Sequence, residues 1–171
     1  MSRVEALTTG TAKGAAQAML TDLVARHGQV GSMVATMAHS PAVLGGYLQL
    51  SKAMGRTKLS RRVCELVSIA VQARQGCQIC LEAHIAAAGR FGVSEEEIAD
   101  AVAGTSPDPA VAAMIATGLA IYSNPKTITD EHVEELRGFG YVDREIIDLV
   151  GVVALNVLTG AFNLLTGLEG E

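Results

Sequence analysis

The sequence predicts an all-α protein. Three observations carry that prediction: apolar residues recur at helical spacing, capping residues mark helix starts, and glycines close the periodic segments. At 171 residues the chain suits one domain, 1–171, with room for a sizeable core.

Periodicity predicts the first two helices over 12–26 and 29–38. Ser40-Pro41 sets a capping hydroxyl before a proline at the first helical position and opens a helix over 41–54, with Gly55 behind it. Helices over 60–75 and 78–91 meet at Gly76, and Gly92 follows the second. Ser94 with Glu97 reads as a capping box for 95–103, closed by Gly104. Ser106-Pro107 repeats the hydroxyl–proline signal for 107–122, and Asn124-Pro125-Lys126 punctuates the chain. A helix over 130–138 stops at the Gly138–Gly140 pair, and Asp143 is expected to cap 143–166. Val-rich stretches 63–71 and 150–158 have strand composition, but their length and capped ends favour helices.

Hydrophobic residues make up 49% of the chain, mostly aliphatic, with no Trp. A monomer of this size would struggle to hide so much aliphatic surface, so an obligate homo-oligomer is expected. A net charge of −5 argues against general nucleic-acid binding, which needs a basic surface. No apolar run reaches roughly 18 residues without polar interruption, so no membrane association is expected. The start, Met1-Ser2-Arg3-Val4-Glu5, lacks a signal-peptide layout, which makes the cytoplasm the expected location. No phosphate loop, nucleophile elbow or HExxH motif occurs, so no cofactor is expected.

Three cysteines do not describe a secreted disulfide scaffold, and a close pair in a reducing compartment is more often catalytic or metal-binding. The pair is Cys77 and Cys80, placed where one helix ends at Gly76 and the next begins. A thiol at a helix start faces unpaired backbone N–H groups and the positive end of the dipole, which favours its thiolate. At about 100° per residue, His84 lies about 20° from Cys77 around the axis, with Cys80 about 60° away. Two thiols and an imidazole on one face suit attack on an O–O bond, followed by disulfide formation and reset by an external dithiol.

Glu65 sits on the preceding helix among Val63, Leu66, Val67 and Ile69, a poor setting for an unpaired carboxylate. It either orients the His84 imidazole or pairs in solvent with Arg61 or Arg62. Zinc is the main rival for the motif, with Cys77, Cys80 and His84 as ligands and Glu65 or Cys64 as a fourth. Against it, no second ligand pair exists elsewhere. Cys64 otherwise reads as a small core hydrophobe. Arg56, Lys58, Arg61 and Arg62 form a basic cluster, either a solvated or intersubunit face or a dock for an acidic electron donor. Asn156 and Asn163 are seven apart on the last helix and read as helix-to-helix hydrogen bonding or pocket lining.

Glu65, Cys77, Cys80 and His84, with eleven residues between the Glu and the first Cys, resemble the signature of the AhpD-like (alkylhydroperoxidase D, or carboxymuconolactone decarboxylase) superfamily. Leu59 to Leu66 resembles that family's approach to the same helix, and residues of about 40–103 resemble its core domain. The resemblance implies an AhpD-like helical bundle assembled as trimers or larger rings. It implies Cys80 as the peroxide-attacking thiol, Cys77 as the resolving thiol that meets the reductant, His84 as the base, and Glu65 at the far end of the proton relay. The implied activity is thiol-dependent peroxide reduction, with a small peroxide as substrate and a dithiol or lipoyl-type partner as reductant. A disulfide adaptor with little peroxide turnover is the alternative. Another is a decarboxylase of the same superfamily, a branch that does not depend on a cysteine pair. One position departs from the pattern: Ile79 stands where peroxidase members carry a histidine, which removes one proton donor from the site.

Overall fold

The computed structural model describes residues 2–168, and among these every regular element is helical. The order is α1 (Gly14–His27), α2 (Ser32–Met37), α3 (Pro41–Met54), α4 (Arg61–Gln75), α5 (Gln78–Arg90), α6 (Glu95–Ala103), α7 (Pro109–Ser123), α8 (Asp130–Gly138) and α9 (Asp143–Thr166). A short 3₁₀ turn at Pro125–Thr127 joins α7 to α8. The fold is the expected all-α one.

Helix α4 is the centre of the bundle, packed by α5, α6, α7 and α9. From Val63 to Gln72 every residue except Glu65 is buried, which explains the strand-like composition: the helix is covered on nearly every side. Its core neighbours include Met114 and Ile115 from α7, Leu136 from α8, and Leu149 and Val153 from α9. A second, smaller core joins Leu20 and Leu23 of α1, Met37 of α2 and Leu44 of α3, with Phe162 of α9 packed against it. Helix α9 is therefore common to both cores.

Local chemistry fixes most helix ends. Ser40 Oγ accepts from Val43 N–H, Ser60 Oγ from Val63 N–H, and the Ser94–Glu97 capping box is complete. Gly76 closes α4 at φ +79°, a left-handed conformation that a Cβ would oppose.

The starts of α1, α2 and α4 shift from 12, 29 and 60 to 14, 32 and 61, and at two later helices the cap residue differs from the expected one. Helix α7 begins at Pro109 rather than 107 because Asp108 is the stronger cap: its Oδ1 accepts from both Ala110 and Val111 N–H. Ser106 Oγ instead accepts from Asp108 N–H within the preceding turn. At α9 the cap position belongs to Val142, whose N–H donates to Glu145 at 2.9 Å. Asp143 sits in the first turn and accepts from Arg137.

Helix α9 also comes nearer to a membrane span than its interrupted apolar pattern suggests. Its 24 residues, with an 18-residue window of mean hydropathy 1.8, are long and apolar enough to cross a bilayer. Its inner face packs instead on α3, α4 and α7, and its polar interruptions, Asn156, Thr159 and Asn163, face inward.

Candidate active site

The site forms where α4 and α5 run back past one another around Gly76, under the last turns of α9. Cys77 takes the cap position of α5 with extended backbone, and Cys80 lies in the first turn. A disulfide joins them, with Cα atoms 5.3 Å apart. Both cysteines lie at the positive end of the α5 dipole, which favours a thiolate on reduction, although the Cys77 side chain makes no cap hydrogen bond.

His84, one turn beyond Cys80, meets Glu65 across the two helices: Nδ1 and Oε2 are 2.7 Å apart. A carboxylate oxygen accepts, so Nδ1 carries the hydrogen and Nε2 is left as the basic nitrogen. This decides between the two readings of Glu65. Arg62 pairs with Glu97 and Arg61 donates to the Gly55 carbonyl, so neither arginine takes the carboxylate.

His84 separates two cavities. One, of about 290 Å³, is lined by Cys80 and His84 with Met33, Tyr47, Ile79, Ala83, Thr159 and Asn163. It is mostly apolar, and Ile79 makes it more so. The other, of about 280 Å³, lies over Glu65 and adds Ser51, Arg61, Cys64, Ser68 and Asn156. Tyr47, Thr159 and His84 belong to both walls. Burial pushes the Tyr47 phenol up, which keeps it a neutral hydroxyl beside the imidazole.

The three residues expected on one face divide. Cys80 and His84 open on the apolar cavity, but Cys77 does not line it and is 1% exposed, against 7% for Cys80. The cap position turns Cys77 back towards α4, where its N–H donates to Gln72 O. In this oxidised form Cys77 is buried beneath the start of α5. Cys64 is buried as a core thiol and is pushed up to about 11 by desolvation. Among the described residues, no three His, Cys, Asp or Glu side chains are placed to hold a metal ion.

Sequence reasoning picked out the two asparagines of α9 but not the sulfur that one of them meets. Asn156 does form helix-to-helix bonds, donating to Ser68 Oγ at 2.8 Å and accepting from Gln72 Nε2 at 2.9 Å. Asn163 bonds between helices as well, donating its Nδ2–H to Cys80 Sγ on α5 at 3.3 Å, and it lines the apolar cavity. The signal was available as a carboxamide on an apolar face, but its target was not.

Residues 41–121, from the start of α3 to near the end of α7, match the carboxymuconolactone decarboxylase family. Among curated proteins, no sequence matches the chain. Solved structures share the fold. The alkylhydroperoxidase AhpD core protein of Ralstonia eutropha JMP134, a peroxidase-related protein, superposes with a TM-score of 0.83 at 18% identity, covering 99% of this chain and 92% of that one. A peroxidase-related protein of Silicibacter sp. TM1040 gives 0.77 at 20% identity, covering 98% and 92%. The debrominase Bmp8 in complex with 2,3,4-tribromopyrrole gives 0.75 at 19% identity, covering 98% and 91%. The chain thus shares the fold of these AhpD-like structures, and its segment 41–121 is similar to the carboxymuconolactone decarboxylase family.

Proposed function

We propose that the protein is a thiol-dependent peroxide reductase. The observation that carries the reading is that His84, bonded to Glu65, lines the same cavity as Cys80. In the reduced protein, His84 Nε2 takes the Cys80 proton. The thiolate attacks the O–O bond: an S–O bond forms, the O–O bond breaks, and the alkoxide leaves with the imidazolium proton as an alcohol. Cys77 then attacks the sulfenic sulfur, forming the S–S bond and releasing water. Glu65 orients the ring and stabilises the imidazolium while it holds the proton. Reset requires an external dithiol, with the first turn of α5 opening about Gly76 to present Cys77. The working unit in this reading is a homo-oligomer.

The test is peroxide titration of the reduced protein with thiol counting. Two thiols per chain are expected to disappear with formation of the Cys77–Cys80 disulfide, and Cys80→Ser is expected to abolish peroxide consumption. Unchanged consumption by Cys80→Ser sinks the assignment. One observation favours a second reading, a disulfide adaptor: Ile79 leaves His84 as the one imidazole lining the cavity. Fast disulfide exchange without peroxide loss in the same assay selects it. The ligand of the debrominase neighbour, 2,3,4-tribromopyrrole, belongs in the substrate panel as a third arm.

A further inference from the structure

Asn163 is 5% exposed and reaches from α9 to Cys80 in the first turn of α5. Its amino group points at the sulfur, while its Oδ1 is buried with no donor. Sulfur accepts hydrogen bonds and does not donate once oxidised or ionised, so only the amino end of the amide makes a bond there. A neutral or disulfide sulfur is a weak acceptor, and a thiolate is a strong one. The buried, donorless oxygen is a cost to folding. The contact thus gains most when Cys80 is reduced and charged. Cys77 has no such partner: among the described residues no side chain donates to its sulfur.

We propose that Asn163 is a catalytic residue that holds Cys80 as a thiolate through its Nδ2–H, making Cys80 rather than Cys77 the attacking sulfur. The inference rests on the dithiol reading of the site, not on the identity of its oxidant. Few groups besides Asn163 face Cys80. Its own helix contributes His84, backed by Glu65 of α4, and Cys77 lies at the helix start. Helix α3 brings Tyr47, kept neutral by burial. Helix α2 brings Met33, and α9 brings Thr159 besides Asn163. Asn163 is thus the one carboxamide in the set.

The test is the pH profile of Cys80 alkylation by iodoacetamide in the reduced full-length chain, read by peptide mass spectrometry. Asn163→Leu, close in volume but without the donor, is expected to raise the midpoint by about one pH unit and slow alkylation near pH 7 about tenfold. Asn163→Asp keeps the shape, replaces the donor with an acceptor, and is expected to raise the midpoint at least as far. It asks the same question should the leucine variant not fold. Midpoints equal to the parent's, in either variant that still forms the disulfide, overturn the proposal. Peroxide consumption by the parent is measured alongside. Its absence together with shifted midpoints refutes the peroxidase reading and leaves Asn163 in place. Its presence with unshifted midpoints refutes Asn163 alone.

Discussion

Glu65 and His84 are nineteen residues apart and meet at 2.7 Å because α4 and α5 reverse about a single left-handed glycine. That contact is half legible in the sequence: a carboxylate among valines needs a partner, and spacing offers two. The choice turns on where Arg61 and Arg62 point, which no helical wheel contains. Glu65→Gln keeps the shape and weakens the support for the imidazolium. Peroxide reduction is expected to slow about 10- to 100-fold, measured as kcat/KM, with the fold unchanged. Cys64 is the core thiol that its apolar neighbours predict, and its burial has a consequence in alkali. Its folded pKa, about 11, lies above the ordinary thiol value, so the unfolded chain releases that proton first. Stability is unaffected below the ordinary value and falls as pH rises from there to about 11, by up to about 2–3 kcal/mol. Cys64→Ala is expected to flatten that alkaline slope in urea denaturation, although the lost sulfur volume lowers stability at neutral pH.

Most element boundaries follow from chemistry confined to four or five residues, and so they can be read. Ser40-Pro41, the Ser94–Glu97 box and Gly76 each act within one turn. The start of α7 is harder to read, because Ser106-Pro107 and Asp108-Pro109 offer the same signal twice. The carboxylate wins by reaching two amides. Packing between elements is a different matter. Gly118 lets α7 lie against α4 and α9: a Cβ there would come within 3.0 Å of Val67 Cγ1 and 3.6 Å of Leu149 Cδ1. Both neighbours are fully buried and cannot swing away. Gly118→Ala is expected to destabilise the protein by about 1–3 kcal/mol, seen as a lower urea midpoint at unchanged slope. Nothing in the sequence marks Gly118 as a contact point, since three helices converge to create the demand. The target of Asn163 is hidden for the same reason.

At the scale of the whole molecule, composition foretells surplus aliphatic surface, and the structure locates it. Ile147, Val150, Leu164 and Leu165 stand exposed on the outer side of α9, at 69%, 52%, 44% and 74%. With Ala154 and Ala161 between them at helical spacing, they make a stripe along the helix. A second copy of the chain is the expected cover. Sedimentation should find a homo-oligomer that Ile147→Glu with Leu165→Glu splits into folded monomers; a wild-type monomer would contradict this.

The two cavities that meet at His84 give the molecule an inside division of labour. Met33, Ile79 and Ala83 wall the cavity beside the sulfur, while Ser51 and Ser68 wall the one over Glu65. Under the proposed chemistry the first set would bound the substrate and the second the surroundings of the carboxylate. Drift on either flank would then change one surrounding and leave Cys80, His84 and Glu65 where they are.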